Sequence, residues 1–532
     1  MIRDVRPRSG VSWLRGSCPA VLSPWWLYSM SQSKHTASLS RAAEDAPEAS
    51  SGRLPGALPL LGHGAALYRD PLGLLGRMRR HGDLVEVRLG PRRAYVACSP
   101  EVVREVLLDP GTFDRGGAFV DALRQVAGNG LITCFWKDHP RQRRLLRPAF
   151  SRESLRQYVP MMMREIEDAT STWRAGAVVD LSAEARVIAA RVAIRTMFAT
   201  DSTDAVAAME KDLPVVLDGL FVQIFARAAR LHRLPTRGNR AFAKSLRRLH
   251  EVIEGFITDY RARDTPGNDL LTSLITHRDE GGESFSDEEI HDQVLTMLGA
   301  GVATTAGLLS WTFKVLAERP DVEARVHAEA DRVLGGRAAG EADLPHLEYI
   351  RRVLTESLRM YPPVWLTTEV TSVATRLAGV ALPAGTTLVW SPHLLQHDPA
   401  LFADPAVFDP DRWLPERAAE VPRGAFVPFG SGSRKCIGDT FALNEATLAV
   451  ATICARWSLR LTPGARIRPV VKLGYSPGPL PMTCTPRTPA STMAVGATAD
   501  AEPTTSPSSA QAEVPDAGRC PFTGQGSADK AN

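Results

Sequence analysis

The feature that most limits how this chain can fold is a helical signal of unusual length. Ser286 and Glu289 stand in S-x-x-E spacing, the capping box in which serine and glutamate satisfy each other's backbone amides at a helix start. Helical character then runs to Pro320, roughly 50 Å at 1.5 Å per residue. A helix that long crosses a whole domain, so the other elements must pack around it. Its middle reads LGAGVATTAG, and Gly299, Ala300 and Gly301 are small enough for a flat group to lie against the backbone. Thr304 and Thr305 follow. A threonine inside a helix can bond back to the carbonyl four residues earlier, which loosens the turn and makes room for water.

A second stretch, FGSGSRKCIG at 429–438, suggests what the flat group is. Gly430, Gly432 and Gly438 surround Cys436 and permit a tight turn, and Phe429 supplies an aromatic wall. Beyond Gly438, Leu443, Ala446, Val450 and Ile453 fall at helical spacing. The cysteine therefore lies at a loop-to-helix junction, where backbone amides favour negative charge and lower a thiol's pKa. A thiolate in such a loop suits the axial ligand of a heme iron, and Arg434 fits a heme propionate. A buried structural cysteine in a glycine-rich loop is the competing reading. The full pattern, F-x-x-G-x-x-x-C-x-G, closely resembles that of the cytochrome P-450 family of heme-thiolate monooxygenases.

The resemblance implies a mainly α fold with a small β region: a large helical domain around a long central helix, and a smaller β-rich subdomain. It implies heme b, its iron bound by Cys436. The companion motifs run in the family's order. His139 and Arg143, one helical turn apart, match the pair that faces a propionate, and Trp136 is out of step and reads as packing. Arg141, Arg144 and Arg147 form a basic face, in part only solvated, that can steer an acidic electron-transfer partner. In A-G-x-x-T-T, Ala300 lies against the heme and Thr304 hydrogen-bonds dioxygen, a packed small residue being the alternative. Ala303 departs from the pattern, because the family carries there an acid that relays protons. Glu356 and Arg359 give the buried E-x-x-R pair, completed by Phe408, Pro410, Arg412 and Trp413 of F-x-P-x-R-W as support behind the heme. Glu369 stands where the family often has a propionate-binding Arg. Carboxylate against carboxylate is unfavourable, so Glu369 points away or the heme is held less firmly.

Elsewhere, GRLPGALPLLGHG is an extended, turn-rich lead-in, a helical pattern covers 70–81, and LVEVRLG and RAYVACS form a hairpin around Gly90 and Pro91. From 165 to 269 the pattern is almost all helical, broken at Pro214, Pro235 and Pro266. In the family this region roofs the substrate pocket. Val216, Leu220, Phe221 and Phe225 are lining candidates or ordinary core. GVALPAGTTLVWSP reads as hairpin strands.

The 532 residues are 44% hydrophobic and 23% charged, as in a soluble globular protein, and a net charge of +4 does not argue for nucleic acid. Seven scattered cysteines without a C-x-x-C pair favour a reducing cytoplasm. Within 1–52 the most apolar run is interrupted by Arg15, Pro19 and Pro24, so it is neither a membrane span nor a signal peptide. It reads as a disordered extension, with Met30 an alternative start and weak membrane association the minor alternative. A Pro-, Ser- and Thr-rich tail from 485 to 532 reads the same way, leaving 53–484 as the heme domain. Cys18 and Cys520 each precede a proline by chance.

The function implied by the resemblance is insertion of one atom of dioxygen into a C–H bond of a lipophilic substrate by a monomeric enzyme. VAGNGLITC, RRLLRPAF, EIHDQV and RGAFVPFGSGSRKCIGD resemble bacterial terpene-oxidising members, which favours a sesquiterpene-like hydrocarbon of secondary metabolism. The chain shows no flavin domain or ferredoxin cluster motif, so a separate ferredoxin and ferredoxin reductase bring electrons from NAD(P)H. Two rivals stay open: peroxide-driven or non-oxygenating heme chemistry, and a catalytically silent ligand binder.

Overall fold

Strand pairing begins at Ser51. The computed structural model describes residues 50–198, 202–228, 234–262, 269–279 and 281–488. In it, β1 (Ser51–Arg53) runs parallel to β2 (Leu84–Leu89), which turns through Gly90 and Pro91 into antiparallel β3 (Arg92–Ala97). Gly90 takes φ 64°, a conformation glycine adopts without strain, and the alternating pattern gives the expected hairpin. With β4 (Phe113–Arg115), β5 (Thr367–Thr371) and β6 (Thr387–Trp390) the sheet has six strands in the order β1-β2-β3-β6-β5-β4. The expected hairpin within GVALPAGTTLVWSP does not form. Val380–Leu382 pairs with Thr375–Leu377, whereas β6 lies between β3 and β5. Leu388, Val389 and Trp390 are all buried, and a central strand covers both faces where a two-stranded ribbon cannot.

The helical bulk is built on α5, and the helices that matter here can be named in chain order. They are α1 (Pro71–Met78), α2 (His139–Leu146), α3 (Leu181–Phe198), α4 (Thr203–Ala228), α5 (Asp287–Glu318), α6 (Glu348–Met360) and α7 (Asp439–Arg456). The 70–81 signal resolves into α1, capped by Asp70 on the Gly73 amide at 3.0 Å, and a 3₁₀ turn over Arg79–His81. Both capping-box bonds at the start of α5 are made, Ser286 to Glu289 at 2.8 Å and the return bond at 3.2 Å. Alone among the described residues, α5 is long and apolar enough to cross a membrane, yet 72% of its apolar window is buried inside the protein. It packs on α3, α6 and α7 as the core helix.

Pro214 does not break the chain as expected but sits inside α4. Val216 and Leu220 bury fully beside it, and that packing outweighs the cost of about 3 kcal/mol of an interior proline. At the far end, Pro481–Pro486 pairs with Trp457–Leu461, and the Arg487 guanidinium reaches Asp331 at 2.8 Å. Ordered pairing thus passes both expected limits, 53 and 484. Cys18, Met30, Pro266 and Cys520 lie outside the described residues.

Candidate functional site

The loop before α7 is folded on itself. The Cys436 amide donates to the Phe429 carbonyl at 2.9 Å. Gly432 takes φ 68°, and a Cβ there would come within 2.5 Å of the Leu107 carbonyl oxygen, so no larger residue fits. Cys436 is surrounded by protein, and burial pushes its thiol up to about 11, yet its side chain is exposed to contact by a small molecule. The thiol is thus deep among protein atoms and still open to a small group. The lowered thiol pKa expected from the helix start is not found. The Gly438 amide, Arg143 and Lys435 pull in that direction, and desolvation wins. The thiolate therefore needs a cation at its sulfur.

A second accessible face lies in the middle of α5. Gly299, Ala300, Gly301, Ala303 and Thr304 are partly exposed, although Leu298, Val302, Thr305 and Ala306 beside them are buried. A Cβ at Gly299 would meet nothing within 4 Å. Thr304 Oγ1 donates to the Ala300 carbonyl at 2.7 Å, the back-bond that loosens a helix.

Near the cysteine loop, cations crowd together. His139 opens α2, buried and stacked on Trp136 at 5.7 Å between ring centroids. One turn on, Arg143 donates to the Lys435 carbonyl at 2.7 Å. Arg434 bonds Asp114 at 2.7 Å and the Cys134 carbonyl at 3.2 Å, over the Trp136 ring. Arg115 on β4 bonds Glu369 at 2.6 Å and Thr367 at 3.2 Å. Burial, then Arg434, Arg143 and Arg115, push His139 down to about 3. The Nε groups of Arg115 and Arg434 are buried with no partner among the described residues. Buried donors without acceptors are costly, so this cluster is built to receive anions.

The sequence profile of the cytochrome P-450 family matches residues 53–481. The protein is a cytochrome P-450. It is similar to cyclooctatin synthase of Streptomyces melanosporofaciens, with 47% identity over 436 residues, 81% of this chain and 95% of that protein. Pentalenene oxygenase of Streptomyces avermitilis is 46% identical over 440 residues, 82% of this chain and 98% of its own length. A crystal structure of the cytochrome P450DA heme domain superposes with a TM-score of 0.73 at 25% identity, covering 83% of this chain and 99% of that one. The mainly α architecture with small sheets is this P-450 fold, and membership implies a heme, dioxygen and a lipophilic substrate.

The residues present fit a heme. Two propionates would supply acceptors for the Arg115 and Arg434 Nε groups, an iron would supply the cation that a Cys436 thiolate needs, and the small residues of α5 would leave room for the ring. Glu369 neither points away nor faces the propionates bare. It is buried, paired across strands with Arg115 in the β4–β5 register, and approached by Trp390 Nε1 at 3.5 Å. Arg115 brings the cation that position 369 lacks. Sequence reasoning missed it, because only sheet register joins residues 254 apart.

Behind the site, Glu356 and Arg359 are fully buried and joined by two bonds of 2.8 and 2.9 Å. Arg412 stands 3.5 Å from Glu356. The shorter third contact is Trp413 Nε1 at 2.9 Å, from the same F-x-P-x-R-W segment. Arg141 is not part of a solvated face. It clamps Asp279 at 2.8 Å, Glu289 at 2.7 Å and the Ser284 carbonyl, holding the start of α5. Arg144 and Arg147 are exposed, as expected. Val216 and Leu220 belong to the closed core, not to an accessible wall. Phe221 stacks on Tyr68 at 6.5 Å, and the Phe225 side chain lies outside the described residues.

Proposed function

We propose that this P-450 inserts one oxygen atom into a C–H bond of a compact cyclic terpene hydrocarbon of sesquiterpene-like size, in secondary metabolism. The observation that carries the substrate class is similarity, over nearly their whole lengths, to Streptomyces enzymes named for cyclooctatin and pentalenene. Cyclooctat-9-en-7-ol 5-monooxygenase of Streptomyces melanosporofaciens, 45% identical over 438 residues, points the same way.

In this reading, heme bound at Cys436 supplies the activation of dioxygen and the oxidation of the C–H bond. The chain does the rest. Cys436 Sγ would hold the iron as a thiolate, and Arg143 steadies its loop through the Lys435 carbonyl. Arg115, Arg143 and Arg434 hold the propionates as cations. His139, neutral at pH 7, holds one as an N–H donor. Phe429 would pack beside the ring, and Ala300 would leave room for it against α5. Thr304 turns its hydroxyl from the Ala300 carbonyl to hydrogen-bond dioxygen.

Electrons come from NAD(P)H through a ferredoxin reductase and a ferredoxin. Arg144, Arg147 and Arg152 surround a depression with Pro148, Phe150 and Ser151, and Phe150 lies next to Gly438 of the cysteine loop. A basic surface there suits an acidic ferredoxin. The enzyme works as a monomer in the cytoplasm.

The test begins with the reduced protein under carbon monoxide, where a band near roughly 450 nm marks a thiolate ligand and one near roughly 420 nm excludes it. Pentalenene and related hydrocarbons are then supplied with NAD(P)H, a surrogate ferredoxin and its reductase. A product heavier by one oxygen atom is expected. Turnover with peroxide alone would favour the peroxide-driven reading, and a ligand-induced spectral shift without product would favour a silent binder.

A further inference from the structure

Two stretches far apart in the chain, VAGNGLITC at 126–134 and EIHDQV at 289–294, meet in the fold. The first carries the loop that follows the helix Gly117–Ala127, and the second lies in the opening turns of α5. Residues 128–131 form neither helix nor strand, so the buried backbone groups of this loop need partners from elsewhere. Side chains supply them. The Asn129 amide donates to Asp292 at 2.6 Å, and the Leu131 amide to Gln293 Oε1 at 3.0 Å. Gln293 Nε2 donates to Gln142 Oε1 at 2.9 Å, and Gln142 Nε2 donates to the Asn129 carbonyl at 2.8 Å. The chain of bonds thus leaves the loop at Leu131 and returns to it at Asn129.

Both glutamines are fully buried. Reversing either amide would set N–H against N–H and oxygen against oxygen, so the chain has one direction. The loop also lies tight on α5. A Cβ at Gly130 would come within 2.0 Å of Thr296 Oγ1 and 2.8 Å of the Asp292 carbonyl oxygen. Gln293, Thr296, Ala300 and Thr304 fall on one face of α5 by their spacing. The loop covers the first two, and the face is accessible again at Ala300 and Thr304. Further on, the same segment reaches Cys134, whose carbonyl accepts from Arg434 of the cysteine loop. It therefore bounds, at one end, the accessible faces of both α5 and the cysteine loop.

A hydrocarbon offers no hydrogen bond with which to order such a boundary, so the order has to be built into the protein beforehand. We infer that Gln142 and Gln293 are positioning residues for the substrate: their paired amides fix the 128–131 loop as an end wall and tie it to α2, on which Gln142 stands between His139 and Arg143. The inference rests on the monooxygenase reading for what the wall confines. Neither glutamine touches a reacting atom.

The test uses the holoenzyme with Gln142→Met, Gln293→Met and the double variant, since methionine keeps the length and removes the amide. Two azoles that bind heme iron are titrated by absorbance: imidazole, too small to extend along α5, and phenylimidazole, which does. Each single variant is expected to bind phenylimidazole about tenfold more weakly, the loss when one buried hydrogen-bonding group is left unpaired, with imidazole unchanged. The double variant should also lie about tenfold below wild type and not about a hundredfold, because both changes break one chain. Hydrogen exchange at the Leu131 amide should quicken about tenfold in Gln142→Met, although that amide keeps Gln293 as its acceptor; a purely local bond would leave it unchanged. In turnover with pentalenene, KM rises by the same factor while kcat stays within about twofold, and oxygenation spreads over several positions. Should a methionine variant not take up heme, Gly130→Ala, which keeps both glutamines and pushes the loop off Thr296, is expected to give the same split between the two azoles. Equal weakening of both azoles, unchanged binding of phenylimidazole, or additive losses in the double variant overturns the inference. The azole titrations need no turnover, so a lack of oxygenated product from wild type overturns the monooxygenase reading alone.

Discussion

Replacing Arg115 by methionine separates two roles of one guanidinium. Arg115 holds Glu369 at 2.6 Å while its Nε is buried without a partner among the described residues. A charge-assisted bond from that group to a heme carboxylate contributes about 1.5–3 kcal/mol, or about 10- to 150-fold in heme affinity. Heme transfer from Arg115→Met to excess apomyoglobin, followed by absorbance, should therefore be faster by that factor. The second role concerns Glu369. Burial raises its pKa, and Arg115 is the largest influence pulling it down. Without Arg115 the folded value lies further above the unfolded one, so the folded state binds a proton that the unfolded chain has released. Stability gained this way is complete below the unfolded value of about 4.3 and is lost as pH rises toward the folded value, at about 1.4 kcal/mol per pH unit. Heme-free Arg115→Met should melt closer to wild type at acid pH than at neutral pH. Heme transfer at the wild-type rate would refute the propionate role. A melting difference independent of pH would refute the account of Glu369.

Arg359→Met leaves Glu356 fully buried without its two strongest bonds, and should destabilise the protein by about 3–5 kcal/mol in urea unfolding; a loss under about 1 kcal/mol would mean that Trp413 and Arg412 suffice. Thr304→Ala should keep the carbon monoxide band while less product and more peroxide form per NAD(P)H, and unchanged coupling would remove Thr304 from the reaction. Arg144→Glu with Arg147→Glu should slow reduction by ferredoxin and flatten its dependence on salt, with peroxide-driven turnover unaffected; equal rates would move the docking face elsewhere.

Whatever the chain encodes within one or two turns was legible. The capping box, the β2–β3 hairpin and the bond from Thr304 to Ala300 each rest on a fixed short spacing, and each forms. Interactions set by packing were not. Arg141 looks solvated in sequence because Asp279 and Glu289 are more than a hundred residues away. The cysteine thiol follows the helix-start rule in direction, but desolvation, a property of the assembled core, outweighs it. Pro214 breaks a helix only if nothing else holds it, and the buried neighbours of α4 do.

The departure from the family pattern at 369 is of this second kind, and it is offset from the adjacent strand. At 369 the requirement is that a cation reach the propionates, not that it stand on β5. The β4–β5 register sets Arg115 directly across from Glu369, so exchanging the charges between strands keeps the site's sum. Restoring the family residue alone should then do harm. Glu369→Arg would place a third cation beside Arg115 and Arg434, with Asp114 the carboxylate left to Arg434, and like charges so close in a buried site repel strongly. The expected result is a lower melting temperature without heme and no gain in heme retention. Tighter heme binding by Glu369→Arg would show that the site lacks a cation after all, and that Arg115 serves only its partner on β5.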